Sequence, residues 1–128
     1  MVRAGTWVFV VEDETIQAME LDDMLARLGC RVAGNAASLR DALDKARRLE
    51  FDLAIVDLKL GSHSGEAVVD EVARRRIPLI ITSGYDLRAS GKHSGHMLLP
   101  KPFTLEELRL AISFALGEGA QPEDRAGR

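Results

Sequence analysis

The sequence predicts one α/β domain with an open, mostly parallel β-sheet that carries helices on both faces. Short apolar runs alternate with amphipathic helical patterns along 128 residues, a length typical of a single domain. The first run, residues 6–11, is apolar on both faces, as expected of a central strand in a parallel sheet. Apolar residues make up 46% of the chain and charged residues 29%, which argues against a disordered chain or a coiled coil.

The composition also excludes several functional classes. A net charge of -3 gives no electrostatic indication of direct nucleic-acid binding. Cys30 is the single cysteine, which excludes an internal disulfide framework, and we expect it to be a small buried residue. No apolar run has the length of a membrane span, and the first residues lack a secretory pattern. We therefore expect a cytoplasmic protein that contacts neither nucleic acid nor a membrane.

Five strands and five helical segments are predicted in alternation. The predicted strands are 6–11, 31–36, 53–57, 79–82 and 97–99. The predicted helices are 16–28, 39–49, 66–76, 86–96 and 105–117, of which 86–96 is rich in Gly and Ser and is expected to be short or mobile. Ser38 and Thr104 are the expected N-caps of the second and last helices, and Trp7 and Phe9 are expected in the core. Residues 1–117 are predicted to form the domain, and 118–128 a polar tail.

Polar side chains follow the predicted strands at the points where they end. Glu12 and Asp13 come after the first strand, Asp57 closes the third, Ser83 follows the fourth and Lys101 follows the fifth. Sites in open parallel sheets lie outside the carboxyl ends of the strands. We therefore expect these side chains to lie together. Each of them, taken alone, would also fit a solvated loop or helix start.

Converging carboxylates repel each other unless a cation lies between them, and Mg²⁺ is the natural occupant of an all-oxygen site. Asp13 and Asp57 could bind the ion directly, Glu12 through water, and Lys59 through its backbone carbonyl. Aspartate is a covalent phosphoryl acceptor in some proteins, which makes Asp57 a candidate nucleophile. The Lys101 ammonium would then offset the charge that develops.

These residues resemble the receiver domain of two-component response regulators over positions 6–116. The matching residues are Glu12 and Asp13, Asp57 to Leu60 with Gly61 and Gly65, Ser83 and Gly84, and Lys101 to Phe103. The resemblance implies a flavodoxin-like fold with strand order 2-1-3-4-5. It also implies that Asp57 takes phosphate from a phosphohistidine of a partner kinase, and that Glu12 and Asp13 hold Mg²⁺. Lys101 and Ser83 would contact the phosphoryl group, and the bond between Lys101 and Pro102 would be cis.

Two positions depart from the usual receiver pattern. Ser83 stands where the family more often has threonine, and Leu98 stands where it usually has a tyrosine or phenylalanine that acts as a rotamer switch. The run 81–85 partly resembles a single-domain subfamily with a Phe-Ala-Thr-Gly-(Gly/Tyr) motif, whose kinases are commonly of the HWE or HisKA2 type. Lys59 and Tyr85 are placed to shield Asp57 from water, and we expect them to tune the lifetime of its phosphate.

The leading prediction is a phosphoryl-accepting signalling domain that is not an enzyme beyond slow loss of its own phosphate. Phosphorylation would change the face formed by the fourth strand, the next helix and the fifth strand, for contact with a downstream protein. One alternative is a receiver-like module that binds its partner without phosphorylation. This alternative is favoured by Leu98, which replaces the usual aromatic switch residue. A less favoured alternative is a phosphohydrolase that forms an aspartyl-phosphate. Such enzymes often have a second acid two residues after the nucleophile, where this chain has Lys59. His63, His93 and His96 are expected to be surface residues.

Overall fold

A computed structural model of the chain describes residues 5–84 and 95–117. The strands are β1 (Trp7–Val11), β2 (Arg31–Ala36), β3 (Leu53–Asp57), β4 (Lys59–Leu60), β5 (His63–Ser64), β6 (Leu79–Ser83) and β7 (Met97–Pro100). The helices are α1 (Thr15–Arg27), α2 (Leu39–Arg48), α3 (Glu66–Arg74) and α4 (Leu105–Ala115). None of the helices in these two segments is long and apolar enough to cross a membrane.

The main sheet has five strands in the order β2-β1-β3-β6-β7, and all neighbouring strands run parallel. The short strands β4 and β5 form a separate two-stranded antiparallel hairpin, so β6 and β7 are the fourth and fifth strands that the sequence predicts. The predicted strand order 2-1-3-4-5 is therefore confirmed. The sequence predicts neither a strand nor a helix between residues 58 and 65. Gly61, at a φ of 60°, provides the left-handed turn that lets the chain fold back on itself between the two short strands.

Four of the five predicted helices lie among the described residues. The predicted fourth helix, 86–96, falls almost entirely outside them, as does the predicted tail at 118–128. The helix α3 ends at Arg74, two residues before its predicted end. Arg76 has a φ of 61°, which is left-handed and cannot continue an α-helix. Ser38 and Thr104 cap α2 and α4 as predicted, and Thr104 forms a full capping box with Glu107.

The core consists of two apolar clusters, one on each face of the sheet. Alternate residues of the central strands enter opposite clusters: Phe9 and Ile81 pack under α2 and α3, whereas Val8 and Ile80 pack under α1 and α4. These strands are buried on both faces, as their continuous apolar runs predicted.

The prediction that Trp7 belongs to the core was wrong. Its side chain is 43% exposed, whereas Phe9, two residues further along the same face, is fully buried. Trp7 begins β1, at the amino end of the strand and away from the middle of the sheet. There the guanidinium of Arg31 lies 5.4 Å from the centre of its ring, in cation–π contact. Cys30 is buried as expected.

Candidate functional site

Three predicted acids come together at the carboxyl edge of the sheet. Glu12 and Asp13 follow β1, and Asp57 is the last residue of the neighbouring strand β3. One carboxylate oxygen from each of the three residues lies within 4.8 Å of the others. Glu12 and Asp57 are buried and Asp13 is half-buried. Such closely spaced carboxylates require a compensating positive charge.

That charge is supplied by Lys101, which follows β7. Its ammonium Nζ donates hydrogen bonds to Glu12 Oε1 at 2.6 Å and to Asp57 Oδ2 at 2.8 Å. The backbone N–H of Lys101 donates to the carbonyl of Ser83 at 2.8 Å, which ties the lysine to the end of β6. The peptide bond between Lys101 and Pro102 is cis, as the family resemblance implied.

The second oxygen of each buried acid is held by the backbone. The N–H of Lys59 donates to Asp57 Oδ1 at 3.0 Å, and the N–H of Glu14 donates to Glu12 Oε2 at 3.1 Å. Asp13 Oδ2 accepts from the N–H of Gly61 at 2.8 Å, which connects it to the turn of the β4–β5 hairpin. The carboxylates are therefore oriented by fixed donors.

The pKa values of Glu12 and Lys101 are both raised, but for different reasons. Burial raises the pKa of the Glu12 carboxyl, and this effect together with nearby Asp57 outweighs the lowering by bonds from Lys101 and the Glu14 N–H. Burial alone would lower the pKa of the Lys101 ammonium, but its bonds to Asp57 and Glu12 outweigh burial and raise the pKa. Lys101 is therefore cationic at neutral pH, and three acids facing one ammonium leave a site that attracts a further cation.

Gly65 allows the chain to pass close beneath the phosphoacceptor candidate. Its N–H donates to the carbonyl of Leu58 at 2.7 Å. A Cβ at this position would lie only 2.4 Å from the backbone oxygen of Asp57. The sequence identifies Gly65 only as a residue that matches the receiver pattern. The backbone contact that requires a glycine is visible only in the folded chain.

The remaining predicted site residues differ in their placement. Ser83 ends β6, beside β3, and is fully buried. Leu98 lies in β7, half-buried against the cluster under α2 and α3, and Lys59 is exposed in β4 next to Asp57. Tyr85 lies outside the described residues. Sequence reasoning missed Gln17, whose Oε1 accepts a hydrogen bond from Lys101 Nζ at 2.6 Å.

Three clustered acids in contact with a lysine, at the carboxyl edge of a sheet in the order β2-β1-β3-β6-β7, are the arrangement that the resemblance to receiver domains implies. The chain belongs to the response regulator receiver domain family, which it matches over residues 8–113. The transcriptional regulatory protein PdtaR of Mycobacterium tuberculosis H37Rv is 32% identical over 114 residues, which cover 85% of this chain and 56% of PdtaR. The chain thus spans about half the length of that relative.

Solved receiver structures agree with the fold. The receiver domain of the response regulator PhyR from Erythrobacter litoralis has a TM-score of 0.79 and 28% identity, covering 93% of this chain and 95% of that one. The receiver domain of the sensor histidine kinase PA1611 from Pseudomonas aeruginosa PAO1 has a TM-score of 0.76 and 27% identity, covering 89% and 99%. That structure has a magnesium ion coordinated in its active site cleft. The predicted receiver family and its flavodoxin-like fold are confirmed.

Proposed function

We propose that this domain accepts a phosphoryl group on Asp57 from a phosphohistidine of a sensor histidine kinase or phosphotransfer protein. The observation that carries the proposal is the state of the Asp57 carboxylate: buried, oriented by the Lys59 N–H, and in direct contact with the Lys101 ammonium. A carboxylate held in this way is oriented to attack phosphorus, and the Lys101 ammonium lies beside the negative charge that develops on the transferring phosphoryl group.

The residues at the sheet edge fit a magnesium ion. Glu12, Asp13 and Asp57 would hold it, with the Lys59 carbonyl as a further oxygen donor, because hard divalent cations prefer such oxygen ligands. The magnesium ion in the PA1611 receiver supports this assignment. When bound, Mg²⁺ supplies positive charge that offsets the oxygens of a transferring phosphoryl group.

In the transfer step, an oxygen of the Asp57 carboxylate attacks phosphorus and a P–O bond forms. The P–N bond of the phosphohistidine breaks, and the imidazole leaves with the bonding electron pair. Lys101 donates hydrogen bonds to the transferred group, and the Ser83 hydroxyl donates to one of its oxygens. The acyl phosphate is then lost slowly to water, at a rate tuned by Lys59 and Tyr85, so the domain acts as a switch and not as an enzyme.

The output follows from the added charge of about -1.5 to -2 that phosphate brings. Ser83 and Lys101 are drawn toward it, and they lie at the ends of β6 and β7. The face made by these strands and the segment between them then changes for a downstream protein, with Leu98 repacking in place of the usual aromatic switch.

The motif resemblance at 81–85 points to a kinase of the HWE or HisKA2 type. We also propose that the domain spans 1–117, with a polar tail at 118–128, and acts in the cytoplasm.

Intact mass spectrometry after incubation with Mg²⁺ and phosphoramidate tests the proposal. Wild type should gain one phosphoryl group, and Asp57→Asn should gain none. Asp44→Asn, which changes an exposed aspartate of α2, is the matched control and should behave like wild type. Chelation of Mg²⁺ should abolish the gain. A wild-type chain that stays unmodified, or an Asp57→Asn variant that is modified equally, would refute the assignment.

Leu98 supports the second candidate, a receiver-like module that binds its partner without phosphorylation. It is half-buried against the core under α2 and α3, where an aliphatic side chain cannot report phosphorylation by exchanging a hydrogen bond. If Asp57→Asn and wild type capture the same downstream protein equally with and without phosphodonor, this second candidate replaces the first.

A further inference from the structure

Gln17 takes no part in the proposed phosphoryl transfer to Asp57, yet its side chain contacts the Lys101 ammonium. The ammonium of Lys101 has three N–H groups and meets three acceptors. Two are the carboxylates of Glu12 and Asp57, and the third is the amide oxygen of Gln17, at 2.6 Å. The three acceptors come from three different parts of the chain: the end of β1, the first turn of α1 and the end of β3.

The local structure of α1 explains why Gln17 is available for this contact. Gln17 is the third residue of the helix, and Glu14 is its N-cap. A glutamine at this position often folds back to accept the N–H of the N-cap residue. Here Glu12 Oε2 already accepts the Glu14 N–H, so the Gln17 amide is left to reach Lys101. Helical side chains lean toward the helix N-terminus, which directs Gln17 toward the site.

We propose that Gln17 is a positioning residue that holds Lys101 at the site in both the resting and the phosphorylated states. The inference rests on the proposed phosphoryl transfer to Asp57. The carboxylates of Glu12 and Asp57 are the groups that a divalent cation or a phosphoryl group would engage, and both would then bind Lys101 less strongly. Gln17 carries no charge and is not one of the three acids that would hold a cation, so its hydrogen bond to the ammonium remains available when those acids are engaged.

The first measurement is the ¹⁵N–¹H signal of the Lys101 ammonium by NMR, assigned by its absence in Lys101→Arg. An ammonium with three fixed acceptors exchanges its protons slowly and gives a signal. Gln17→Met keeps the size of the side chain and removes the acceptor, so we expect the signal to be lost. Gln17→Glu keeps an acceptor oxygen and should keep the signal. Gln17 is exposed, so neither variant should change the melting temperature appreciably.

The second measurement is the rate of phosphorylation by phosphoramidate. Gln17→Met should slow phosphorylation about fivefold, which is less than the full loss of a hydrogen bond to a charged group, because Gln17 is exposed and water replaces part of the contact. Met19→Gln makes the reverse exchange at an exposed position of the same helix and should leave the rate unchanged.

The proposal is overturned if Gln17→Met keeps the ammonium signal, or if it loses the signal and is phosphorylated at the wild-type rate. Failure of the underlying function looks different, because wild type itself would then take no phosphate. In that case the ammonium signals of wild type, Gln17→Met and Gln17→Glu still decide whether Gln17 positions Lys101.

Discussion

Lys101 is the residue on which the charge balance of the site depends. Its ammonium contacts two buried carboxylates, and its side chain is only 19% exposed. A divalent cation in the same cluster would place a second positive charge a few ångströms away, and at such distances like charges repel even with partial screening. Lys101 therefore stabilises the acids by itself and would weaken the binding of a metal ion in the cluster.

Replacing Lys101 with methionine should tighten Mg²⁺ binding about tenfold, because the ammonium no longer repels the ion. Isothermal titration calorimetry measures the change directly. Lys45→Met removes the same charge on α2, where Lys45 pairs with Asp41, and should leave the affinity unaltered. Weaker Mg²⁺ binding in Lys101→Met would show that the lysine organises the carboxylates more than it repels the ion.

Among the elements, the β4–β5 hairpin and the start of α3 hold Asp57 in place. Lys59, in β4, donates its N–H to the Asp57 carboxylate, and Gly61, in the turn, donates to Asp13. Gly65, the N-cap of α3, packs directly against the backbone of Asp57. The hairpin thus determines both the orientation of the candidate nucleophile and the position of its neighbour in the acid cluster.

Gly65→Ala should destabilise the fold by about 1–3 kcal/mol, because the added methyl group forces rigid backbone at Asp57 to move. The same shift should slow phosphorylation by phosphoramidate. Urea unfolding and the mass assay measure the two effects. Gly95→Ala is the matched control: a Cβ there meets nothing within 4 Å, so its stability should change by no more than about 0.5 kcal/mol. Equal stability of the two variants would contradict the close contact.

For the molecule as a whole, α2 and α3 are joined by a buried acid and its arginines. Glu71 of α3 bonds to Arg74 of the same helix and to Arg47 of α2. Burial alone would raise the pKa of the Glu71 carboxyl, but the two arginines outweigh burial and lower it. The Arg75 guanidinium adds hydrogen bonds to two backbone carbonyls near the end of α2 and lies 5.1 Å from the centre of the Phe51 ring.

A lowered pKa gives Glu71 a defined contribution to stability against pH. The folded state binds its proton more weakly than the unfolded state, so the stabilisation is complete above the ordinary glutamate value of 4.5. It is lost as pH falls through the lowered pKa. Glu71→Gln should therefore melt at a lower temperature than wild type at neutral pH, with a gap that narrows on acidification below about pH 4.5. Glu50→Gln, at an exposed glutamate, is the control; a gap that stays constant with pH would contradict the argument.

Much of this architecture was predictable because its signals are local. Apolar runs such as 53–57 identify buried strands, and polar residues directly after them must lie at one edge of a parallel sheet. That reasoning identifies Glu12, Asp13, Asp57 and Lys101 from the sequence alone. It could not place Trp7 correctly, since the pattern of a strand does not show where helix coverage of the sheet ends.

The fold class and the residues at the strand ends follow from the amino-acid sequence alone, because periodicity and strand boundaries are properties of short segments. The strand order follows from the resemblance to receiver domains. The acceptors that hold Lys101, the close approach of Gly65 to Asp57 and the arginines that bind Glu71 are visible only in the folded chain. Gln17 and Lys101 are 84 positions apart, and Arg47 and Glu71 lie on different helices. Such contacts depend on how α1 and the chain after β7 meet at the edge of the sheet and how α2 packs on α3, which no local pattern encodes.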